Sequence, residues 1–273
     1  MKPEKWKLWR RQLWVVTRYE LLRSVFSRRV VPVLLLIGMP LSLAMMRAIF
    51  MPASRRADLS QSTADFAQMF FFFHLRFVVF FACAFLFVKL FRGEILERSL
   101  HYNLLTPMRR DVLVAGKYLG GLVSSLLVLL SATAGTFVLF YLTHGSSGLA
   151  YVVSGDGFSQ LIGYLSVVTL ACVAYGALFL LAGLFFKNPM IPGILFLGWE
   201  VATPFLPPLL KTLSFVHPLT SLLPVPPALG PLAILAQPMD PWIGVALLLS
   251  ATFALLWASS RKAKRLEITY SAD

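Results

Sequence analysis

Six long apolar runs constrain this chain more than any other feature of its sequence. Each is near or above the roughly 20 residues that an α-helix needs to cross the hydrocarbon core of a bilayer. Only 14% of the residues are charged and 58% are hydrophobic, whereas soluble domains carry about a quarter charged residues. The sequence therefore predicts an all-α membrane protein with six transmembrane helices, at about residues 30–50, 69–91, 118–142, 158–186, 190–210 and 240–259.

The positions of the basic residues predict the orientation of these spans. Of the 25 Lys and Arg residues, 20 fall in segments that share one side of the membrane under the six-span arrangement, and five lie at or near the other side. Cytoplasmic segments carry the excess of Lys and Arg, so both termini and the segment between spans 2 and 3 are predicted to be cytoplasmic. Because the bases cluster beside apolar runs, the net charge of +13 indicates membrane topology and no nucleic-acid partner.

Residues 1–29 are predicted to form an amphipathic interfacial helix. Trp6, Trp9, Leu13 and Val16 fall on one stripe, and Lys and Arg occupy much of the rest. Such a helix lies in the headgroup layer with its aromatic face toward the lipid and its basic face toward anionic headgroups. The alternative is a solvated basic arm. At the other end of the chain, residues 260–273 are predicted to be a cytoplasmic tail.

The longest polar segment between two apolar runs covers residues 92–117. Its leucines recur at helical spacing, which predicts a short amphipathic helix. Thr106-Pro107 ends this helix, because proline disfavours helical geometry in the residue before it. Small residues also repeat at intervals that permit close packing of membrane helices, as Gly116 with Gly120 and Gly176 with Gly183.

A proline-rich outer segment, residues 203–239, precedes the last span. With Pro241 it holds ten of the chain's 17 prolines. An irregular backbone in lipid leaves amides and carbonyls unpaired, so this segment must be shielded by protein or lie at the interface. We expect two short helices that enter or lie on the outer leaflet and cap a translocation pathway. The alternative is an ordered outer loop without a gating role.

Glu200 follows Trp199 within the fifth apolar run, where placing a charged carboxylate in the membrane has a high free-energy cost. Two interpretations stay open: a contact that lines the pathway or the outer gate, together with Trp199 and His217, or a structural pairing with Lys211 or with backbone donors freed by Pro204. His74 and Arg76 are expected to reach the interface by extending along the span.

The motifs of several enzyme classes are absent from the sequence. It has no GxxxxGK[ST] phosphate loop, no GxSxG nucleophile elbow and no HExxH zinc pair. Cys83 and Cys172 lie inside apolar runs, and His101 has no partner at metal-ligand spacing. We therefore predict a protein that is not catalytic on its own and binds no cofactor or metal.

Three stretches resemble the membrane-spanning subunit of ABC-2 type ATP-binding cassette transporters. TRYELLRSVFSRR, at 17–29, is similar to the basic entry helix of that family. GEILERSLHYNLLTPMRRDVLVAGKYLGGL, at 93–122, resembles the family's hallmark after span two. GWEVATPFLPPLLKTLSFVHPLTSL, at 198–222, resembles the segment before the last span in some bacterial members. With the six spans, the resemblance covers nearly the whole chain.

This resemblance implies a permease subunit in a bacterial cytoplasmic membrane, an exporter whose ATP and Mg²⁺ are bound by a separate ATPase subunit. A second permease copy, identical or related, would complete the transporter. The coupling helix, within residues 92–107, and the turn after it would contact the ATPase through Glu94, Glu97, Arg98, Leu100, Leu104, Thr106, Pro107, Arg109 and Arg110. Residues 5–27 would form a connecting helix beside the same ATPase, with Trp9, Arg18, Glu20 and Arg23.

A different class of protein is the alternative: a secondary transporter or channel without an ATPase. Such a protein would carry paired ionisable residues near the membrane midplane or an inverted repeat. Glu200 has no counterpart in the first half of the chain, which favours the permease.

Overall fold

The computed structural model describes residues 3–25, 30–50, 58–97, 99, 105, 108–227 and 239–265. Every regular element in these ranges is helical. The α-helices are α1 (Pro3–Val25), α2 (Val31–Phe50), α3 (Leu59–Met69), α4 (Phe80–Leu96), α5 (Arg110–Leu142), α6 (Ser146–Ser154), α7 (Asp156–Phe185), α8 (Met190–Ala202), α9 (Pro208–Lys211), α10 (Val216–Ser221) and α11 (Pro241–Lys264). A π-helix, Phe70–Val79, joins α3 to α4, and a 3₁₀ turn, Thr203–Phe205, follows α8.

Five of the described helices are long and apolar enough to cross a membrane: α2, the continuous helix Leu59–Leu96, α5, α7 and α11. The protein is therefore an all-helical, multi-pass membrane protein. The predicted fifth span does not form such a helix. Its region contains the 13-residue α8, which at 1.5 Å per residue is about 20 Å long and shorter than the hydrocarbon core. The structure therefore does not confirm the sixth span.

The second span is longer than predicted. The helix Leu59–Leu96 has 38 residues. It is capped by Asp58, whose carboxylate accepts hydrogen bonds from the amides of Ser60 and Gln61. At its other end the helix includes residues 92–96, which the sequence had assigned to a separate coupling helix. Residues 98, 100–104, 106 and 107 lie outside the described residues, so the coupling helix stays a prediction.

The centre of the bundle is α7, which packs against α4, α5 and α11. Close approach at the predicted glycine pairs is confirmed. A Cβ on Gly116 would lie 2.7 Å from a Val16 methyl, and one on Gly120 would lie 2.6 Å from the Cβ of Glu20, so this pair seats α1 on α5. In the same way, Gly176 and Gly183 of α7 allow close contact with Phe87 and Val88 of α4.

Two short helices, α9 and α10, lie in the proline-rich segment, as the sequence predicted. They are separated from α8 by the 3₁₀ turn and by Pro207, whose extended backbone precedes α9. Residues 228–238 of this segment lie outside the described residues.

Replacing Gly176 with Val should destabilise the bundle. The buried ring of Phe87 lies between Gly121 and Gly176, and a Cβ on Gly176 would come within 2.5 Å of that ring. Such overpacking costs about 1–3 kcal/mol, so we expect a lower midpoint of thermal unfolding in detergent. Gly38→Val is the matched control, because a Cβ on Gly38 meets nothing within 4 Å. Equal midpoints for the two variants would contradict the packing described here.

Candidate functional site

A lysine is fully buried where three helices meet. The ammonium group of Lys117, in α5, donates to the carboxylate of Glu20 in α1 and to the carboxylate of Glu94 in α4, the latter at 2.7 Å. It also donates to the carbonyl oxygen of Leu90, at 3.0 Å. The exposed fraction of the side chain is 0% for Lys117, 4% for Glu20 and 1% for Glu94. All three donor positions of this ammonium are thus used inside the protein.

Arg23 extends this arrangement toward the surface. Its guanidinium donates to Glu94 at 3.1 Å and to Glu97 at 2.5 Å. The carboxylate of Glu97 is 46% exposed, so the network runs from a dry interior to the solvent within one turn of α4. We call Glu20, Arg23, Glu94, Glu97 and Lys117 the Lys117 cluster. It holds two cations and three carboxylates.

The local sequence explains how α1 comes close enough to form the cluster. Gly116 and Gly120 flank Lys117 and lack the side chains that would hold α1 away. The hydroxyl of Thr17 donates to the carbonyl oxygen of Gly116, at 3.3 Å. Small residues and an ion pair thus fall on one face of α5.

A second polar group ties the same end of α5 to the end of α11. Arg110 donates to the carbonyl oxygens of Ala263 and Lys264, at 3.0 and 2.6 Å. Asp111 accepts from the Lys264 ammonium at 2.8 Å and from the Ser260 hydroxyl. A cation at the last carbonyls of a helix is favoured by the helix dipole. We call the end of the bundle that holds Leu96, Arg110 and Lys264 the basic end.

The predicted coupling residues fall into three groups. Glu94 is buried against Lys117, and its contact with an ATPase stays a prediction. Glu97 and Arg109 are exposed and Arg110 is partly buried against α11. The remaining ones lie outside the described residues: Arg98, Leu100, Leu104, Thr106 and Pro107.

The predicted connecting-helix residues are all on α1. Glu20 and Arg23 belong to the Lys117 cluster, whereas Arg18 is exposed. Trp9 is partly buried, and the guanidinium of Arg109 lies 4.6 Å from the centre of its ring. Sequence reasoning did not select Lys117 as a site residue. The available signal was a lysine at the start of an apolar run, directly after a small residue of the packing pair.

Glu200 is buried, with 1% of its surface exposed, and its carboxylate is fully engaged. It accepts from the Phe215 and Val216 amides, at 2.8 and 2.9 Å, and from the Ser214 hydroxyl at 2.7 Å. These donors lie at the start of α10, where backbone amides have no partner within the helix. The contacts support the structural interpretation of Glu200, with donors from residues 214–216 in place of Lys211 or amides freed by Pro204.

Two neighbours of Glu200 form local hydrogen bonds. Trp199 is partly buried, and its carbonyl oxygen accepts from the hydroxyl of Thr203 at 3.1 Å. The backbone amide of His217 donates to the hydroxyl of Ser214 at 3.2 Å. The predicted group of Trp199, Glu200 and His217 therefore forms part of the junction between α8 and α10.

The expectation that His74 and Arg76 reach the membrane surface is wrong. Both are buried, because they lie in the middle of the helix Leu59–Leu96 and not near its end. The ring of His74 shares a hydrogen bond of 2.9 Å with the hydroxyl of Thr133, and the guanidinium of Arg76 lies 4.6 Å from the ring centre of Phe71. Among the described residues, no group of three or more His, Cys, Asp or Glu could hold a metal ion.

Comparison of the sequence with protein-family models gives no match, and comparison with curated proteins gives no match either. The resemblance to ABC-2 permeases therefore rests on the three sequence stretches at residues 17–29, 93–122 and 198–222.

Replacing Lys117 with Met should strongly destabilise the protein. The change leaves Glu20 and Glu94 buried without their cation, and breaking a buried pair in this way costs about 3–5 kcal/mol. The measurement is the thermal unfolding midpoint and the yield of monodisperse protein in detergent. Lys187→Met is the control, because Lys187 is exposed.

Neutralising the partners should restore stability. The triple variant Lys117→Met, Glu20→Gln, Glu94→Gln carries no uncompensated buried charge at these positions, so we expect it to unfold at a higher temperature than Lys117→Met alone. A triple variant no more stable than the single one would show that Lys117 stabilises the protein in another way.

Replacing Glu200 with Gln should loosen the start of α10. The amide group supplies one acceptor oxygen where the carboxylate uses two, so at least one donor from residues 214–216 loses its partner, at a cost of about 1–3 kcal/mol. We expect faster hydrogen exchange at the amides of Phe215 and Val216. Amides in α7 serve as the internal control, and unchanged exchange at both positions would refute the capping role.

Proposed function

We propose that this protein is the transmembrane permease subunit of an ABC-2 type transporter, an exporter driven by ATP that a separate subunit hydrolyses. Five apolar helices of spanning length support the membrane-embedded part of the proposal. The stretch at residues 93–122, which resembles the family's hallmark, supports the ATPase-coupled part.

The observation that carries the proposal is the Lys117 cluster. A permease moved by an external motor needs a membrane-surface element joined firmly to its spanning helices, because a flexible joint would absorb the displacement. In this protein α1 is joined to α4 and α5 through Lys117 and the two carboxylates it contacts. A rigid-body movement of α1 would therefore be passed to both spanning helices.

The segment between α4 and α5 is held at both of its ends. Before it, Glu94 pairs with Lys117; after it, Arg110 contacts the end of α11. We assign the docking surface for the ATPase to residues 97–109, with the exposed carboxylate of Glu97 at its start. Glu94 then acts by holding this segment in position, and not by contacting the ATPase.

In this assignment the basic end faces the cytoplasm of a bacterial cell, as the excess of Lys and Arg predicts. The ATPase supplies the sites for ATP and Mg²⁺. The α8–α10 junction with Glu200 lies at the outer side, where it stabilises the end of the pathway. A second permease chain would complete the transporter.

Reversing a charge on the docking segment should weaken ATPase binding. We expect Glu97→Lys and Arg98→Glu to reduce by several-fold the amount of an ATPase subunit that co-purifies with the tagged chain in mild detergent. Membrane insertion should not change. The ATPase would be recognised as a protein of about 25–35 kDa that carries a phosphate loop.

Asp156→Lys is the matched control, because Asp156 is exposed at the start of α7, far along the bundle from the basic end. Undiminished co-purification with both docking variants would refute the assignment of residues 97–109. A tagged chain that purifies without an ATPase and transports without ATP would support the motorless transporter instead.

A further inference from the structure

Three cations on α1 lie outside the Lys117 cluster. Lys7, Arg10 and Arg11 are exposed, and within the described part of the chain none of them forms an ion pair. They lie together on one border of a groove of about 620 Å³ between α1 and α5. The groove is therefore strongly positive at this border.

Apart from Thr17, whose hydroxyl donates to the carbonyl oxygen of Gly116, the rest of the groove is apolar. Its lining includes Leu13 and Trp14 from α1, and Leu119 and Val123 from α5. The side chain of Trp14 is 66% exposed and that of Val123 is 37% exposed, so this surface is open. Tryptophan is enriched where a membrane meets water.

The charged and apolar parts follow one another along the axis of α5. Val16 contacts Gly116 and Glu20 contacts Gly120, so α1 and α5 run in the same direction where they pack. Lys7 thus lies toward the start of α5, outside the predicted span, whereas Val123 lies inside the predicted span 118–142. Positive charge at the interface and an apolar channel that leads inward match the two parts of a phospholipid.

We propose that the groove between α1 and α5 is a binding site for one anionic phospholipid. Its phosphate is held by Lys7, Arg10 and Arg11, and one acyl chain lies along Leu119 and Val123. Guanidinium groups form paired hydrogen bonds with phosphate oxygens. Bound in this position, the lipid contacts both α1 and α5 and adds to the contacts that hold α1 on the bundle.

The proposal depends on the membrane-embedded architecture and not on an ATPase partner. It also differs from general attraction of a basic helix to a negative surface, because it requires space for an acyl chain. We therefore expect lipid binding to weaken in two kinds of variant: those that remove the cations, and those that fill the groove and keep every cation.

The test is native mass spectrometry of the full chain in detergent, titrated with phosphatidylglycerol and, in parallel, with phosphatidylcholine. We expect one tightly retained phosphatidylglycerol and no equivalent phosphatidylcholine. The variant Lys7→Gln, Arg10→Gln, Arg11→Gln should bind phosphatidylglycerol at least about tenfold more weakly, since each basic residue near the headgroup contributes about fivefold. The control Lys187→Gln, Arg261→Gln, Arg265→Gln removes the same charge from exposed positions elsewhere and should bind normally.

The groove-filling variant Val123→Trp keeps every cation and should bind as weakly as the charge variant. Retained binding in Val123→Trp would show attraction to the headgroup alone and would overturn the groove site. Equal loss in the charge variant and its control would show an effect of net charge and would overturn it as well. If inorganic phosphate displaced the lipid, the cations would form a site for a free anion, and the lipid site would be overturned. Thermal unfolding without added lipid checks that the variants are folded.

Discussion

The fold depends on one buried lysine. An ammonium group taken out of water costs several kcal/mol unless carboxylates and carbonyls satisfy it, and Lys117 is satisfied only while α1, α4 and α5 keep their present arrangement. The helix α1 is therefore packed firmly onto the rest of the helical bundle. Gly116 and Gly120 make this possible, because bulkier side chains would separate α1 from α5.

One ion pair and one cation–π contact join helices at the opposite end of the bundle. The guanidinium of Arg47 in α2 pairs with Asp65 in α3 at 3.1 Å and lies 3.9 Å from the ring centre of Phe140 in α5. Between the two ends, contacts are mostly apolar and aromatic, as between Phe80 and Phe179. Polar groups thus join the helices near their ends, and apolar and aromatic side chains pack between them.

The charged side chains of the basic end differ in how deeply they are buried, and their roles differ accordingly. Lys117 and Glu94 are dry and hold helices together, whereas Glu97 is half exposed at the edge of the proposed docking segment. Lys7, Arg10 and Arg11 of α1 are exposed, and they are the residues that we propose bind the phosphate of a lipid. Burial thus separates the charged side chains that hold helices together from those that remain on the surface.

The sequence alone determined the class of this protein, since apolar runs of about 20 residues have no stable place outside a membrane. It also located the packing glycines, because their spacing reflects the period of the helix. Only the tertiary structure decided the places of Glu94 and Glu200, because each depends on a group outside its own helix. Lys117 and Glu20 are 97 residues apart, and local pattern carries no information about such a pair. Helix length likewise depends on where the backbone turns. The apolar run at 190–210 has the length of a span, yet its helix α8 ends at Ala202.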